Sequence, residues 1–194
     1  MWIAVVLAIA LVIAAVLNFG TLKRLFGFDK NQSNTTSQTS TSSSNQTNTN
    51  QPNNVSTKTF SYDVPDGWIL IGQKDLSSYN ALNGIKSGSA PVGSFFISTV
   101  SAGSSKNIKK DTLTTLKKHQ SFKLIDDKPI TISQQKGEKF SYSFSDSSSA
   151  IQRQDLIVVV YKKQIYSLQF MAAEKDYDSL STTFNTILNS FNFK

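Results

Sequence analysis

The longest apolar pattern lies at the start of the chain. Residues Trp2 to Leu17 are all apolar, and the first charged side chain after them is Lys23. A helix through Leu22 supplies about the 20 residues that cross a hydrocarbon core of about 30 Å. No Lys or Arg precedes the run, and Asn18-Phe19-Gly20 does not match the small-x-small cleavage pattern of a signal peptide. The pattern predicts an uncleaved transmembrane anchor over residues 1–22.

A second, purely polar pattern follows the anchor. Residues 31–57 hold seven Asn, four Gln, seven Ser and seven Thr, with only Pro52 and Val55 besides. Such a segment cannot repay its ordering entropy by burying apolar surface. We therefore expect residues 23–58 to form a juxtamembrane segment and a disordered linker. Four N-x-[ST] triplets are candidate N-glycosylation sites in this region: Asn31, Asn34, Asn45 and Asn54.

From Thr59 onward the pattern changes to the period of two that is typical of β-strands. Phe60, Tyr62 and Val64 alternate with polar residues. Pro65-Asp66-Gly67 then predicts a turn, because Pro fixes φ and Gly permits a positive φ. The segment from Trp68 to Ile71 is expected to return as the second strand of a hairpin, with Trp68 aimed at the sheet face.

Further strands are predicted by alternating or continuous apolar runs. The run Leu156–Tyr161 is apolar on both faces, which is typical of a central strand that is covered on both sides. A hairpin is expected around Lys162-Lys163. The predicted strands are Ser94–Val100, Ile130–Ile132, Lys139–Phe144, Asp155–Tyr161 and Gln164–Ala172.

Two segments show a helical period. Near the C-terminus one apolar stripe comprises Tyr177, Leu180, Phe184, Ile187, Leu188 and Phe191. Three carboxylates, Glu174, Asp176 and Asp178, lie at its start, where they complement the helix dipole. A second helix is predicted over Asn107–His119, with Ser105 as a candidate cap. Residues 75–90 combine helical spacing with a Gly/Ser-rich end.

The order of these elements predicts an α+β domain over residues 59–194, with an antiparallel β-sheet flanked by helices. The opening Phe60-Ser61-Tyr62-Asp63-Val64-Pro65-Asp66-Gly67-Trp68 resembles the start of the PsbP-like fold, which the Mog-type Ran-binding proteins share. The closing Ile187-Leu188-Asn189-Ser190-Phe191 is similar too. The resemblance implies an α/β/α sandwich. It implies almost nothing about chemistry, since the family includes photosystem II subunits, bacterial lipoproteins and chaperone-like adaptors.

The amino-acid composition excludes several kinds of site. The chain has no Cys, which excludes a disulfide scaffold, a thiolate metal site and a lipoprotein-type anchor. Its single His, His119, excludes a multi-His metal cage, and we expect it to be structural at a helix end. Asp126-Asp127 precedes Lys128-Pro129, and this stretch is interpreted as a turn. We expect no catalytic residue, no cofactor and no metal.

The formal net charge of +7 directs attention to a cluster of lysines. An anionic lipid surface or an anionic cell-wall polymer is a suitable partner for such a cluster. Nucleic acid is not expected, because no arginines alternate with aromatic residues. A solvated outer helix face explains the same pattern. The cluster comprises Lys106, Lys109, Lys110, Lys117 and Lys118.

Together these patterns suggest a single-pass membrane protein whose domain is a non-catalytic binding or accessory module outside the cytoplasmic membrane. An envelope protein would then be a further candidate partner. Two rival hypotheses stay open. Lys23, Arg24 and Lys30 follow the apolar run, so the positive-inside rule favours a cytoplasmic-facing adaptor or chaperone-like module. An enzyme, such as a hydrolase with an unrecognised site, is the other.

Overall fold

A computed structural model of the chain describes residues 53–78, 81–102, 107–145 and 149–194. The predicted anchor and most of the predicted linker lie outside these residues. Among the described residues, no helix is both long and apolar enough to cross a membrane. Three helices are described: α1 (Gln73–Ser78), α2 (Ile108–Leu116) and α3 (Glu174–Ser190). The strands are β1 (Asn54–Ser56), β2 (Phe60–Asp63), β3 (Trp68–Leu70), β4 (Asn83–Ser87), β5 (Gly93–Ser101), β6 (Lys123–Ile132), β7 (Gln135–Ser145), β8 (Ile151–Tyr161), β9 (Gln164–Ala173) and β10 (Asn192–Phe193).

The strands form two antiparallel sheets. Seven of them make the large sheet in the order β3-β4-β5-β9-β8-β7-β6, and the small sheet has the order β1-β2-β10. The predicted β8–β9 hairpin is confirmed, and Lys162 and Lys163 at its turn have φ values of 47° and 61°. Two central residues with positive φ match the right-handed twist of the flanking strands. The predicted antiparallel sheet with few helices is therefore correct.

Helix α3 covers one face of the large sheet, here called the α3 face. Its buried residues Tyr177, Leu180, Phe184 and Ile187 form the predicted stripe. Phe184 packs against Phe170 of β9 and meets the edge of Trp68, with ring centroids 5.0 and 6.0 Å apart. Leu180 and Phe184 also approach Gly93, where a Cβ atom would lie 2.6 Å from Leu180 Cδ1. A larger residue at the start of β5 would therefore displace the Leu180 side chain from its packed position.

The small sheet extends the core of the α3 face. Phe60 and Tyr62 of β2 stack on Phe191, which immediately follows α3. Strand β1 pairs with β2, and its Val55 is buried. The fold therefore begins before the predicted boundary at Thr59, because one apolar residue in a polar tract suffices to pair an edge strand with β2.

The opposite face of the sheet, the α2 face, is covered less completely. It presents Phe96, Phe140, Tyr142, Phe144 and Leu156, against which Leu76 of α1 and Leu116 of α2 are buried. These helices have only six and nine residues, whereas α3 has 17. The predicted α/β/α sandwich thus reduces to a mostly β architecture with one long helix.

Two local predictions are wrong in an informative way. The Pro65-Asp66-Gly67 turn is present, with Trp68 N–H donating to the Pro65 carbonyl over 3.0 Å and Gly67 at φ 76°. However, β2 and β3 belong to different sheets, so the turn joins two layers instead of closing a hairpin.

The Asp126–Pro129 stretch forms part of the edge strand β6, not a turn. A register shift in the same strand leaves Ile125 without a cross-strand partner. Charges, proline and a bulge are the features that protect an exposed sheet edge from pairing with other chains. Similarly, the helical spacing in residues 75–90 yields a helix only as far as Ser78, and β4 follows.

Candidate functional site

An open groove of about 840 Å³ lies on the α2 face. Its floor consists of cross-strand neighbours on three adjacent strands. Pro129 of β6 lies opposite Glu138 of β7, which lies opposite Val158 of β8. Thr131 and Lys136 form the next pair toward the end of the sheet. Residues that face each other across antiparallel strands share one face, so these side chains form one continuous surface.

The wall of the groove is the first turn of α2. The Asn107 side chain caps this helix by accepting a hydrogen bond from Lys110 N–H over 2.9 Å, so Asn107, not Ser105, is the cap. Asn107, Ile108 and Lys109 line the groove. The helix start and the three strand ends therefore enclose it from two sides.

An ion-pair cluster joins the wall to the floor. Lys109 Nζ lies 3.1 Å from Asp127 Oδ2 and 3.7 Å from Glu138 Oε2. The hydrogen bond to Asp127 is the main cause that raises the pKa of Lys109. Glu138 Oε2 is shielded from solvent and accepts no hydrogen bond from the described residues. Its ion-pair partner is Lys109 Nζ.

The rest of the groove surface is apolar. Val158 is buried, but Val160 at the open end is 40% exposed. The run Leu156–Tyr161 is apolar on both faces and predicts a covered strand, and it gives no sign that a short helix leaves Val160 uncovered. Lys136 and Glu138 are two residues apart in β7, a spacing that places both on one face of the sheet.

The structure separates the five predicted lysines. Lys109 is held in the groove by two carboxylates, whereas Lys110, Lys117 and Lys118 are exposed. Lys106 lies outside the described residues. Lys109 therefore differs from the exposed lysines in its surroundings, and the role of the five lysines as an anionic-surface patch stays a prediction.

His119 follows α2 and is buried in an aromatic pocket. Its ring lies 4.9 Å from Phe144 and 5.9 Å from Tyr142, measured between centroids. Neither ring nitrogen has a hydrogen-bond partner among the described residues. Burial lowers the pKa of His119 to about 4, so the neutral ring is favoured. It lies on the protein interior side of α2, away from the groove-lining residues.

A second charged cluster lies on the α3 face. Asp155 of β8 is buried and pairs with Lys139 of β7. The pKa of Tyr177 is raised well above its usual range, mainly because the side chain is buried and secondly because of the nearby charge of Asp155. Arg153 lies 4.4 Å above the Tyr177 ring and binds Asp178 over 2.9 Å. These pairs fasten the start of α3 to the sheet, and they explain the helix carboxylate Asp178 as a structural partner.

The remaining candidate residues are dispersed. Asn54 lies exposed in β1, where its Nδ2 donates to Asp63 Oδ1 over 2.9 Å. Asn31, Asn34 and Asn45 lie outside the described residues. Within the described part of the chain, no group of three or more His, Asp or Glu side chains is placed to hold a metal ion.

Comparison with known proteins identifies the class of fold. The chain matches the family described as PsbP-like protein over residues 5–193, and it belongs to that family. No curated protein matches its sequence.

Solved structures share the fold at low sequence identity. LpqN, involved in cell envelope biogenesis of Mycobacterium tuberculosis, is 17% identical, with a TM-score of 0.56 over 70% of this chain and 83% of that chain. Cyanobacterial PsbP (CyanoP) from Synechocystis is 14% identical, with a TM-score of 0.54 over 73% and 91%. The Ran-binding protein Mog1p of Saccharomyces cerevisiae is 9% identical, with a TM-score of 0.46 over 69% and 89%.

Proposed function

We propose that the protein is a membrane-anchored binding or accessory module without catalytic activity, with its PsbP-like domain outside the cytoplasmic membrane. The observation that carries the binding function is the groove between α2 and the ends of β6, β7 and β8. Grooves with an apolar floor and a few fixed polar groups are the usual form of a binding site. The groove-lining residues include a single hydroxyl, that of Thr131, and no His. They therefore do not supply a hydroxyl nucleophile with a histidine base beside it.

A segment of an envelope protein fits the chemistry of this groove. Val160 and Pro129 are exposed and offer contact to an apolar side chain, and the partly exposed carboxylate of Glu138 lies beside them. The paired Lys109 leaves the groove without a large excess of positive charge, which favours a neutral segment over a polyanion. LpqN is involved in cell envelope biogenesis, which supports the same setting, and its 17% identity to this chain shows only a shared fold.

Site-specific photo-crosslinking in living cells tests the groove. A photoreactive phenylalanine analogue replaces Val160, and the control replaces Ile69 on the opposite edge strand, which has the same 40% exposure. We expect a protein adduct at position 160 that is absent at position 69. Filling the groove by Thr131→Trp should abolish that adduct. Adducts of equal yield at both positions, or none at 160, contradict the proposal.

The location of the domain rests on the anchor pattern and the uncharged linker, and it needs its own test. Lys23 and Arg24 favour the alternative, a cytoplasmic-facing adaptor. Because the chain has no Cys, Ser149→Cys provides one reactive thiol at an exposed position, and Ser94→Cys provides a buried control. We expect a membrane-impermeant maleimide to label position 149 on intact cells and position 94 only after denaturation. Labelling of position 149 only after lysis would establish the cytoplasmic orientation.

A further inference from the structure

The turn between α2 and β6 is rich in lysine and in exposed apolar residues, and it does not line the groove. Residues 117–125 have the sequence Lys-Lys-His-Gln-Ser-Phe-Lys-Leu-Ile, with three lysines and no carboxylate. Lys117, Lys118 and Lys123 are exposed and form no ion pair with the described residues. Leu124 and Ile125 are 38% and 44% exposed. We call residues 117–125 the α2–β6 turn surface.

The fold holds this surface in a fixed shape. His119 is buried against Phe144, and Phe122 packs on Tyr142 with ring centroids 5.5 Å apart. The Gln120 carbonyl accepts a hydrogen bond from Ser145 N–H over 3.0 Å. The buried rings therefore fasten the turn from below, and the lysines and apolar side chains remain outside.

The register of β6 explains why two consecutive apolar side chains remain exposed. Leu124 pairs with Tyr142 and Asp126 pairs with Ser141, so Ile125 is the extra residue of a bulge. A bulge re-aims the side chain that it carries. Ile125 is consequently released from the sheet pattern.

The opposite edge strand β3 is a natural comparison within the same sheet. Ile69 and Leu70 are also consecutive and are each 40% exposed. Their surroundings in sequence, residues 65–72, contain Asp66 and no Lys or Arg. Apolar exposure is therefore similar at the two edges, whereas the β3 edge has one lysine, Lys86 opposite Ile69, and the α2–β6 turn surface has three exposed lysines.

We infer that the α2–β6 turn surface docks on an anionic lipid bilayer. Lysines next to the surface are attracted to anionic headgroups, and small apolar side chains between them enter the headgroup region. The exposed Leu124 and Ile125 favour a bilayer over an anionic polymer, because a polymer offers them no apolar phase. The inference is independent of the groove and of which side of the membrane the domain occupies.

Depth-dependent fluorescence quenching on the full chain tests the inference. The absence of Cys allows Ile125→Cys to carry a single environment-sensitive dye, with Ile69→Cys as the control. The protein is reconstituted in phosphatidylcholine vesicles with or without phosphatidylglycerol, each with a quencher on the lipid chains. We expect quenching at position 125 only with phosphatidylglycerol, and none at position 69. Quenching should vanish in 1 M salt, where the Debye length falls from about 10 Å to about 3 Å.

Charge variants measure how much the lysines of the α2–β6 turn surface contribute to docking. Changing Lys117, Lys118 and Lys123 to Gln should lower the docking equilibrium about 100-fold, at about fivefold for each lysine. The same changes at three other exposed lysines, Lys58, Lys74 and Lys175, remove equal charge and should have little effect. Circular dichroism of each variant confirms that it is folded.

Three outcomes would overturn the inference. Position 125 could remain unquenched with phosphatidylglycerol, or both positions could be quenched equally. The third outcome is that Leu124→Ser leaves quenching of the position-125 dye unchanged while a soluble polyanion competes fully. That result would assign the surface to an anionic polymer.

Discussion

The two faces of the seven-stranded sheet are built on different principles. The α3 face is closed by a 17-residue helix and by the small sheet, and its core combines a large aromatic and aliphatic cluster with the buried Asp155. The α2 face is covered by helices of six and nine residues and contains buried polar groups. Gln154 Nε2 donates to Gln169 Oε1 over 3.1 Å, and Gln169 Nε2 donates to Ser98 Oγ over 3.4 Å.

This difference separates stability from recognition. A long helix can bury a continuous stripe and leave no open surface, whereas a short helix ends before the sheet does. The groove lies beside the first turn of α2, over β6, β7 and β8, and the α2–β6 turn surface lies at the other end of the same helix. Both proposed interaction surfaces therefore belong to the incompletely covered face.

Trp68→Ala should produce the largest effect, since it removes a buried ring from the α3 face. Trp68 is 5% exposed and packs edge-on against Phe184. We expect a loss of about 3–5 kcal/mol in the free energy of unfolding. Chemical denaturation followed by circular dichroism measures it. An unchanged midpoint would show that the α3 face is not the main source of stability.

The pH dependence of stability tests how the buried His119 on the α2 face affects the free energy of unfolding. The pKa of His119 is lowered from 6.5 to about 4 in the folded state, so the unfolded chain binds more protons between these values. The contribution of the neutral, buried His119 ring to the free energy of unfolding is therefore fully present above about pH 6.5, and it is lost as the pH falls toward 4. We expect a loss of about 3 kcal/mol over this window. His119→Phe should remove this part of the slope, and an identical pH profile in the variant would exclude His119 as its source.

Removing one side chain of the buried glutamine pair should reduce stability by a smaller amount, and removing both should restore part of the loss. Gln169→Leu leaves Gln154 Nε2 and Ser98 Oγ without their described partner, so we expect a loss of about 1–3 kcal/mol. Adding Gln154→Leu removes one unpaired group and should recover part of the loss. A thermodynamic cycle of the two single variants and the double variant measures the coupling. Strictly additive losses would mean that the two side chains do not act together.

Val160→Ser should have the smallest effect on stability. Its side chain is 40% exposed at the open end of the groove, so we expect a change within about 0.5 kcal/mol. Thermal denaturation measures this change, with Ile69→Ser as the control of equal exposure. A loss comparable with that of Trp68→Ala would show that the groove floor is part of the core.

Several elements could be predicted from the sequence because their signals are local. The stripe from Tyr177 to Ile187 depends only on helical spacing, and it identifies the buried face of α3 directly. The β8–β9 hairpin follows from two apolar runs around Lys162-Lys163. The resemblance in Phe60–Trp68 led to the family, because it combines an aromatic strand with a Pro-x-Gly-Trp turn.

Tertiary structure alone decided which elements became neighbours. The turn at Pro65–Gly67 has the same local conformation whether it closes a hairpin or joins two sheets, and long-range pairing of β3 with β4 determined the outcome. Asp126–Pro129 became an edge strand because pairing with β7 outweighed its turn propensity. The groove depends on where α2 begins relative to three strands distant in sequence. No local pattern encodes that position, because it follows from how the packed layers differ in length.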